Sequence, residues 1–340
     1  MRGLILTAMV LLLALPADAQ RRDLPVPADK GWMHADSGIV LTASLDGLPR
    51  TSLTDYGTAE RDIAAEFAAP DRTTVATVYI FRPALMSVPL WFDRAQTTLE
   101  LRQTYGGVTP VAAAPVAFAP PGASAPSALR QIYMPRRGQY RSTALAVVPR
   151  GEWLVAIRLS SMVTDPAAID GKMSRIMAAV RWGKADDTSI AATPISLCPD
   201  GLVFRKAKLK KPDMMQALLG GAIAATAMKQ DGPRTPVVWC RDPSAPTAEY
   251  GIYRAAGSTD GYTVAIADSG RIAAVTLPNV LGTGGYAISY TDLDGTVATF
   301  PSFDRLPNPG QVVALVLGGN VIARTGMGGK DVTIAVPPSK

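Results

Sequence analysis

The stretch Gly151–Trp182 constrains the fold more than any other part of the chain, because it specifies a strand and a helix back to back. Trp153, Val155, Ile157 and Leu159 fall on one side, and Glu152, Ala156, Arg158 and Ser160 on the other. Period-two alternation with branched and aromatic residues predicts a half-buried strand. Asp165-Pro166 then offers a capping side chain followed by a residue suited to the first helical position. Ile169, Met173, Ile176, Met177 and Val180 recur at spacings of three and four, one apolar stripe, and Gly183 stands where such a helix is expected to stop. A strand feeding a helix that lies back on its sheet is a packing unit, and neither half carries reactive chemistry.

The first residues predict export. Arg2 gives a basic start, Leu4–Leu15 an apolar run, and Ala17-Asp18-Ala19 a small-x-small cleavage site. The expectation is a signal peptide over residues 1–19, cleaved after Ala19, and a periplasmic or secreted protein starting at Gln20. No Cys stands at the cut to take a lipid anchor, and no later stretch reaches about eighteen uninterrupted apolar residues, so no transmembrane segment is expected after signal removal. Cys198 and Cys240 are the two cysteines of the chain. In an exported protein an isolated pair reads as a disulfide, and these lack the Cys-x-x-Cys spacing of a redox centre. A formal charge of +6 spread over 340 residues without a dense basic block argues against a nucleic-acid partner. It fits loose attraction to an anionic envelope surface.

Along the chain, residues 20–36 read as an extended lead-in. Short strands are expected near Ser37–Leu48 and Arg50–Tyr56. Ile63–Phe67 and TTVATVYIFR (73–82), joined by Ala69-Pro70-Asp71-Arg72, form a hairpin. Leu90, Phe92, Ala95 and Leu99 suggest a helix over Pro89–Tyr105, closed by Gly106-Gly107. Residues 108–127, rich in Ala and Pro, read as a surface excursion. Leu129–Met134, Tyr140–Val148 and Trp153–Leu159 complete the strands. Strands joined by hairpin turns, with helices packed on them, make an α+β class with an antiparallel sheet over residues 20–183.

SGIVL before LDGLPR, TVATVYIFRP, and WLVAIRLSS with its helix resemble the PsbP-like fold. That resemblance covers about half of the chain and implies a small exported or lumenal protein that assists assembly or binds partners. The overall pattern is also similar to exported proteins of alphaproteobacteria whose family carries no assigned activity, so neither resemblance transfers a functional residue.

Residues 184–196 read as a boundary, and 197–340 as a mostly antiparallel β region with one helix. Leu197–Phe204 is the expected first strand and Pro212–Met228 the helix, weakened by Gly220-Gly221 at about 1 kcal/mol per glycine. Strands follow at VVWC, EYGIYRA, YTVAIAD, RIAAVTL, YAISYT, TVATF, QVVALVL, NVIART and VTIAV. Asp268-Ser269-Gly270, Asp292–Gly295 and Gly318-Gly319-Asn320 are the expected hairpin turns. The disulfide is expected to tie the first of these strands to the one after the helix.

Chemistry-bearing patterns are few. His34 is the single histidine and sits in the lead-in, so a solvated or packing role is expected and no transition-metal site. No Gly-x-Ser-x-Gly occurs, and Thr226-x-x-Lys229 lacks partner motifs. Arg324–Asp331 and Gly282–Ala287 only superficially resemble phosphate and dinucleotide turns. A calcium loop from Asp292 would need Gly at Val297 and Glu at Phe303. Asp55, Glu60, Asp62, Glu66, Asp242, Glu249 and Asp260 are available carboxylates that spacing alone cannot pair. Arg205–Lys211 reads as exposed surface, and Tyr250, Tyr253, Tyr262, Tyr286 and Tyr290 as cross-strand packing that can also line a binding face. No catalytic residue, metal or cofactor is expected. The leading expectation is an exported, non-enzymatic envelope protein that binds or scaffolds a partner or ligand. The alternatives are a carboxylate-based hydrolase acting on envelope glycans and a secreted inhibitor or interaction module.

Overall fold

The computed structural model describes residues 21–183, 190–211, 237–244, 247–277, 285–326 and 332–334. The expected signal peptide, residues 184–189 of the expected boundary, and the expected helix over Pro212–Met228 lie outside them.

Twelve strands come first: β1 (Arg22–Asp23), β2 (Trp32–Met33), β3 (Val40–Leu41), β4 (Ser44–Leu45), β5 (Leu48–Asp55), β6 (Asp62–Ala68), β7 (Thr74–Phe81), β8 (Val108–Pro110), β9 (Val116–Phe118), β10 (Ala128–Pro135), β11 (Ser142–Arg150) and β12 (Trp153–Ser161). Helix α1 (Val88–Glu100) lies between β7 and β8, and α2 (Pro166–Ala179) follows β12. Then come β13 (Ser196–Leu197), β14 (Trp239–Arg241), β15 (Tyr250–Ala255), β16 (Gly261–Ile266), β17 (Arg271–Thr276), β18 (Tyr286–Thr291) and β19 (Val297–Phe303). Helix α3 (Pro309–Leu317), β20 (Ala323–Thr325) and β21 (Val332–Ile334) follow.

The first sheet runs β1-β5-β6-β7-β12-β11-β10-β8, with β4 beside β5 and β9 beside β10. The second runs β13 to β21 in chain order, and β2 pairs β3 apart from both. Every pairing is antiparallel except β13 with β14. Mostly antiparallel sheets with three helices among the described residues are the coarse form of the expected α+β class.

The β6–β7 hairpin forms where local turn chemistry directs it. The Asp71 carboxylate accepts from the Thr73 amide at 3.0 Å, and Arg72 takes a positive φ of 57°. Helix α1 is capped by Ser87, whose hydroxyl accepts from the Leu90 amide at 3.4 Å, and a 3-10 turn at Gln103–Tyr105 ends on left-handed Gly106.

The half-buried strand expected at Trp153–Leu159 is buried on both faces. Trp153, Val155, Ile157 and Leu159 pack on Ile169, Met173, Ile176 and Met177 of α2. Leu154 and Ala156 instead join Trp91, Phe92, Ala95 and Leu99 of α1. Strand β11 divides the same way, Ala144, Ala146 and Val148 going to one layer and Leu145 and Val147 to the other. Helices α1 and α2 therefore cover opposite faces of one sheet. Each fully buried Ile, Leu or Val there stabilises by roughly 1.5–3 kcal/mol.

Helix α1 also touches the second sheet. Tyr253 of β15 and Ala265 of β16 belong to its apolar layer, and a Cβ on Gly251 would sit 2.8 Å from Arg94 Cδ. Only glycine permits that approach. The other face of the second sheet closes over Val312 and Leu315 of α3. The molecule is layered as α2, first sheet, α1, second sheet, α3.

Four further expectations are corrected. QVVALVL is helix, not strand: Asn308 and Gln311 form a reciprocal capping box ahead of it, and Pro309 fits its first turn. Gly318-Gly319-Asn320 accordingly follows that helix and is not a hairpin turn. Helix α2 stops at Ala179, with Val180 extended, ahead of Gly183. The first strand of the second part is only Ser196–Leu197, and residues 199–204 are irregular.

Candidate functional site

A cleft of ≈ 560 Å³ opens between the two sheets. Its floor comes from the α1-facing side of the first sheet: Tyr79 and Phe81 are two residues apart on β7, and Ala156 and Arg158 two apart on β12. Trp91 and Ala95, one helical turn apart on α1, close one wall. The second sheet supplies the opposite wall through Asp268 and Ser269 of the β16–β17 turn, Arg271 of β17, and Tyr290 and Asp292 of β18 and its turn. Gly270 seats that hairpin against the first sheet. Its φ is +80°, a Cβ there would meet Phe81 at 2.8 Å, and its carbonyl accepts from the Ala84 amide at 2.8 Å.

Charge in the cleft is largely paired. Arg271 bonds Asp292 at 2.9 Å and Asp62 at 3.4 Å. Asp268 meets the Arg158 guanidinium at 3.4 Å and accepts from the Thr98 hydroxyl at 3.0 Å. Arg158 is 6% exposed, lies 5.8 Å over the Tyr79 ring, and its Nε has no hydrogen-bond partner among the described residues. A buried guanidinium donor without an acceptor is costly to leave unmet.

Burial raises the Asp62 carboxyl above the ordinary carboxylate range, against the opposing pull of Arg271. Arg271 is also penalised by burial, yet Asp292 and Asp62 together hold its pKa above the ordinary value. The difference has a plain cause: the cation has two carboxylates, whereas Asp62 shares one cation. Burial, then Asp292, pushes the Tyr290 phenol up to about 12, so it stays protonated as a donor.

A raised folded-state value for Asp62 means that folding takes up a proton just above the ordinary 3.8. The contribution of this group to stability is full below 3.8 and is lost as pH rises through the raised value. Asp62→Asn is therefore expected to remove a pH-dependent loss, its melting temperature gaining on the wild type as pH climbs from below the ordinary 3.8 to neutrality. Parallel melting curves across that range would contradict it.

The residues that the sequence offers for chemistry scatter over the molecule. Of the seven available carboxylates, only Asp62 lines the cleft. Asp55 is buried, pairs with Arg22 at 3.3 Å and accepts from the Gly57 and Glu60 amides, which makes it a turn holder. Asp242 likewise accepts from the Leu202 and Ser244 amides. Glu66 pairs with Arg72 at 3.0 Å, the Glu60 carbonyl faces His34, and Glu249 and Asp260 are exposed. Tyr290 lines the cleft, Tyr253 and Tyr262 are buried packing residues, and Tyr250 and Tyr286 are half-buried. Arg205, Lys206, Lys208 and Lys211 are exposed, as expected.

His34 corrects the expectation of a loose lead-in. It is 1% exposed, its ring nitrogens meet Ser37 Oγ at 2.7 Å and the Glu60 carbonyl at 2.9 Å, and Trp153 stands edge-on to it. Around it, β1 pairs β5 and β2 pairs β3. Asp292 opens a tight turn, its carbonyl accepting from the Gly295 amide at 3.0 Å. Thr226, Lys229, Gly282–Gly284 and Met327–Asp331 lie outside the described residues. Among the described residues no group of three or more His, Cys, Asp or Glu is placed to hold a metal.

Arg271, Asp268, Tyr56 and Tyr79 line the cleft without any sequence pattern that marks them as site residues. Arg158 does carry a signal, a cation inside the apolar run WLVAIRLSS. A half-buried strand would give it an exit to solvent, and the fold removes that exit by burying both faces.

Comparison with protein-family models, with curated proteins and with solved structures finds no match.

Proposed function

We propose that this is an exported, non-enzymatic binding protein of the periplasm or envelope whose inter-sheet cleft holds a small ligand. The observation that carries the reading is the ≈ 560 Å³ cleft itself, formed between the sheets around buried Arg158 and walled by tyrosines and paired charges. Small-molecule sites favour concave, largely preformed pockets of this size with a few convergent polar groups. The disulfide and the export signal expected over Met1–Ala19 support the location. Native mass spectrometry of protein purified gently from its own envelope is expected to show a small-molecule adduct that Tyr79→Ala loses. A bare mass for both proteins sinks the reading.

A second reading, a hydrolase acting on envelope glycans, draws on Asp62, Asp268 and Asp292 around the same cleft and on the raised Asp62 carboxyl. Against it, each carboxylate is engaged by a guanidinium. Glycan turnover abolished by Asp62→Asn would select it.

A further inference from the structure

Resting on the binding reading, we infer that the ligand of the cleft is a short neutral saccharide. Three features of the lining point to an uncharged polyhydroxyl molecule with flat apolar faces.

The first is charge balance. Arg102, Arg158 and Arg271 stand against Asp62, Asp268 and Asp292, so the lining has no net charge. Asp62 and Asp292 already meet Arg271, and Asp268 already meets Arg158 and the Thr98 hydroxyl. An anionic ligand would approach three carboxylates, and a cationic one would have to displace an existing pair. Arg102, which is exposed, is the lining cation with no carboxylate partner among the described residues, so an anion gains one solvent-screened counter-charge and a cation gains none, and both lose hydration.

The second is the pairing of donors with acceptors. A guanidinium beside a carboxylate offers donors and acceptors within one ligand diameter, and vicinal sugar hydroxyls are each donor and acceptor. Asp268 with Arg158, and Asp292 with Arg271, present two such couples, and Ser269 adds a hydroxyl beside them.

The third is aromatic surface. Tyr56 is 41% exposed, and Tyr79 and Tyr290 are half-buried around the same space. The C–H faces of a pyranose ring are apolar, and a partly exposed tyrosine ring can cover one while its hydroxyl stays hydrogen-bonded. The ≈ 560 Å³ of the cleft falls in the roughly 300–1,000 Å³ range of small-ligand sites, room for one or two rings and not for a long polymer.

The test is a tryptophan-fluorescence titration of the intact protein, Arg158→Met and Tyr79→Ala with cellobiose, N,N′-diacetylchitobiose, glucuronate, inorganic phosphate and diglycine. The expected result is saturable binding of a neutral disaccharide in preference to the two anions and the zwitterionic diglycine, weakened about tenfold in each variant. If Arg158→Met fails to fold, Tyr79→Ala alone decides. No binding of either disaccharide, or equal binding by wild type and variants, overturns the saccharide assignment. Tighter, variant-sensitive binding of glucuronate, phosphate or diglycine also overturns it, while leaving the binding role of the cleft standing.

Discussion

Asp93→Ala is expected to lower the unfolding free energy by about 3 kcal/mol, read from urea transitions followed by tryptophan fluorescence. Asp93 stands on α1, the helix shared by both sheets, and its carboxylate accepts from Arg241 of β14 at 3.0 and 3.2 Å and from the Tyr253 hydroxyl of β15 at 2.6 Å. Removing it leaves Tyr253, which is fully buried, without its acceptor, and strips Arg241 of its counter-charge. Losing one partner of a buried ion pair typically costs about 3–5 kcal/mol. The lower end applies here, because Arg241 is 26% exposed and keeps a contact to the Thr97 hydroxyl at 3.4 Å. Asp93→Asn retains an acceptor for Tyr253 and loses only the charge, so it should fall between wild type and alanine. A loss under about 1 kcal/mol for alanine would mean that the network adds little.

The neighbouring Arg94 explains why this helix fixes the cleft. Arg94 is fully buried and its guanidinium donates to the carbonyls of Ala267, Thr247 and Ala248 at 2.8–3.3 Å. Ala267 immediately precedes Asp268, the partner of Arg158. The geometry of the cleft wall is therefore set by a side chain that never lines it. Positioning by a buried cation and by close glycine contacts gives a preformed site, which reduces the ordering needed on ligand binding.

What the sequence discloses follows the range of the interactions involved. The β6–β7 hairpin is legible because Pro70, Asp71 and the alternation on either side act over a few residues. Helix α1 is legible for the same reason, although it ends at Glu100 and the expected glycine stop at Gly106 closes the 3-10 turn that follows it. Burial of the second face of β12 is not, because what covers it comes from α1 and from residues about a third of the chain away: Arg158 and Asp268 are 110 positions apart. Helix α3 reads as a strand because QVVALVL is apolar almost throughout and has no period to separate 2 from 3.6. The deciding information stands just upstream, in Asn308-Pro309 and Gln311. In the cleft, Asp62 and Asp292 are visible as carboxylates. Their convergence on Arg271 depends on the packing of one sheet against the other, which no local pattern encodes.

The second large effect concerns the expected disulfide, which the structure contains between Cys198 and Cys240. Cys198→Ser combined with Cys240→Ser is expected to destabilise by about 4 kcal/mol, the loop-closure entropy released when a separation of 42 residues is no longer cross-linked. For a chain of 340 residues, at roughly 1.4 °C per kcal/mol, this amounts to a drop of about 6 °C in melting temperature. Local structure argues that the loss is felt beyond the loop. Strand β13 has only two residue pairs with β14, Ser196↔Cys240 and Leu197↔Arg241, too few to hold an edge without a covalent tie. The same β14 residue, Arg241, reaches across to Asp93. Releasing β13 should therefore loosen the cation that joins the second sheet to α1, and the serine pair combined with Asp93→Ala should cost less than the sum of the two. Both cysteines are 4% exposed, so mild reductant on the native protein should act slowly, whereas reductant present during unfolding should reproduce the variant. Strict additivity in the double-mutant cycle would place the disulfide and the α1 network in independent units.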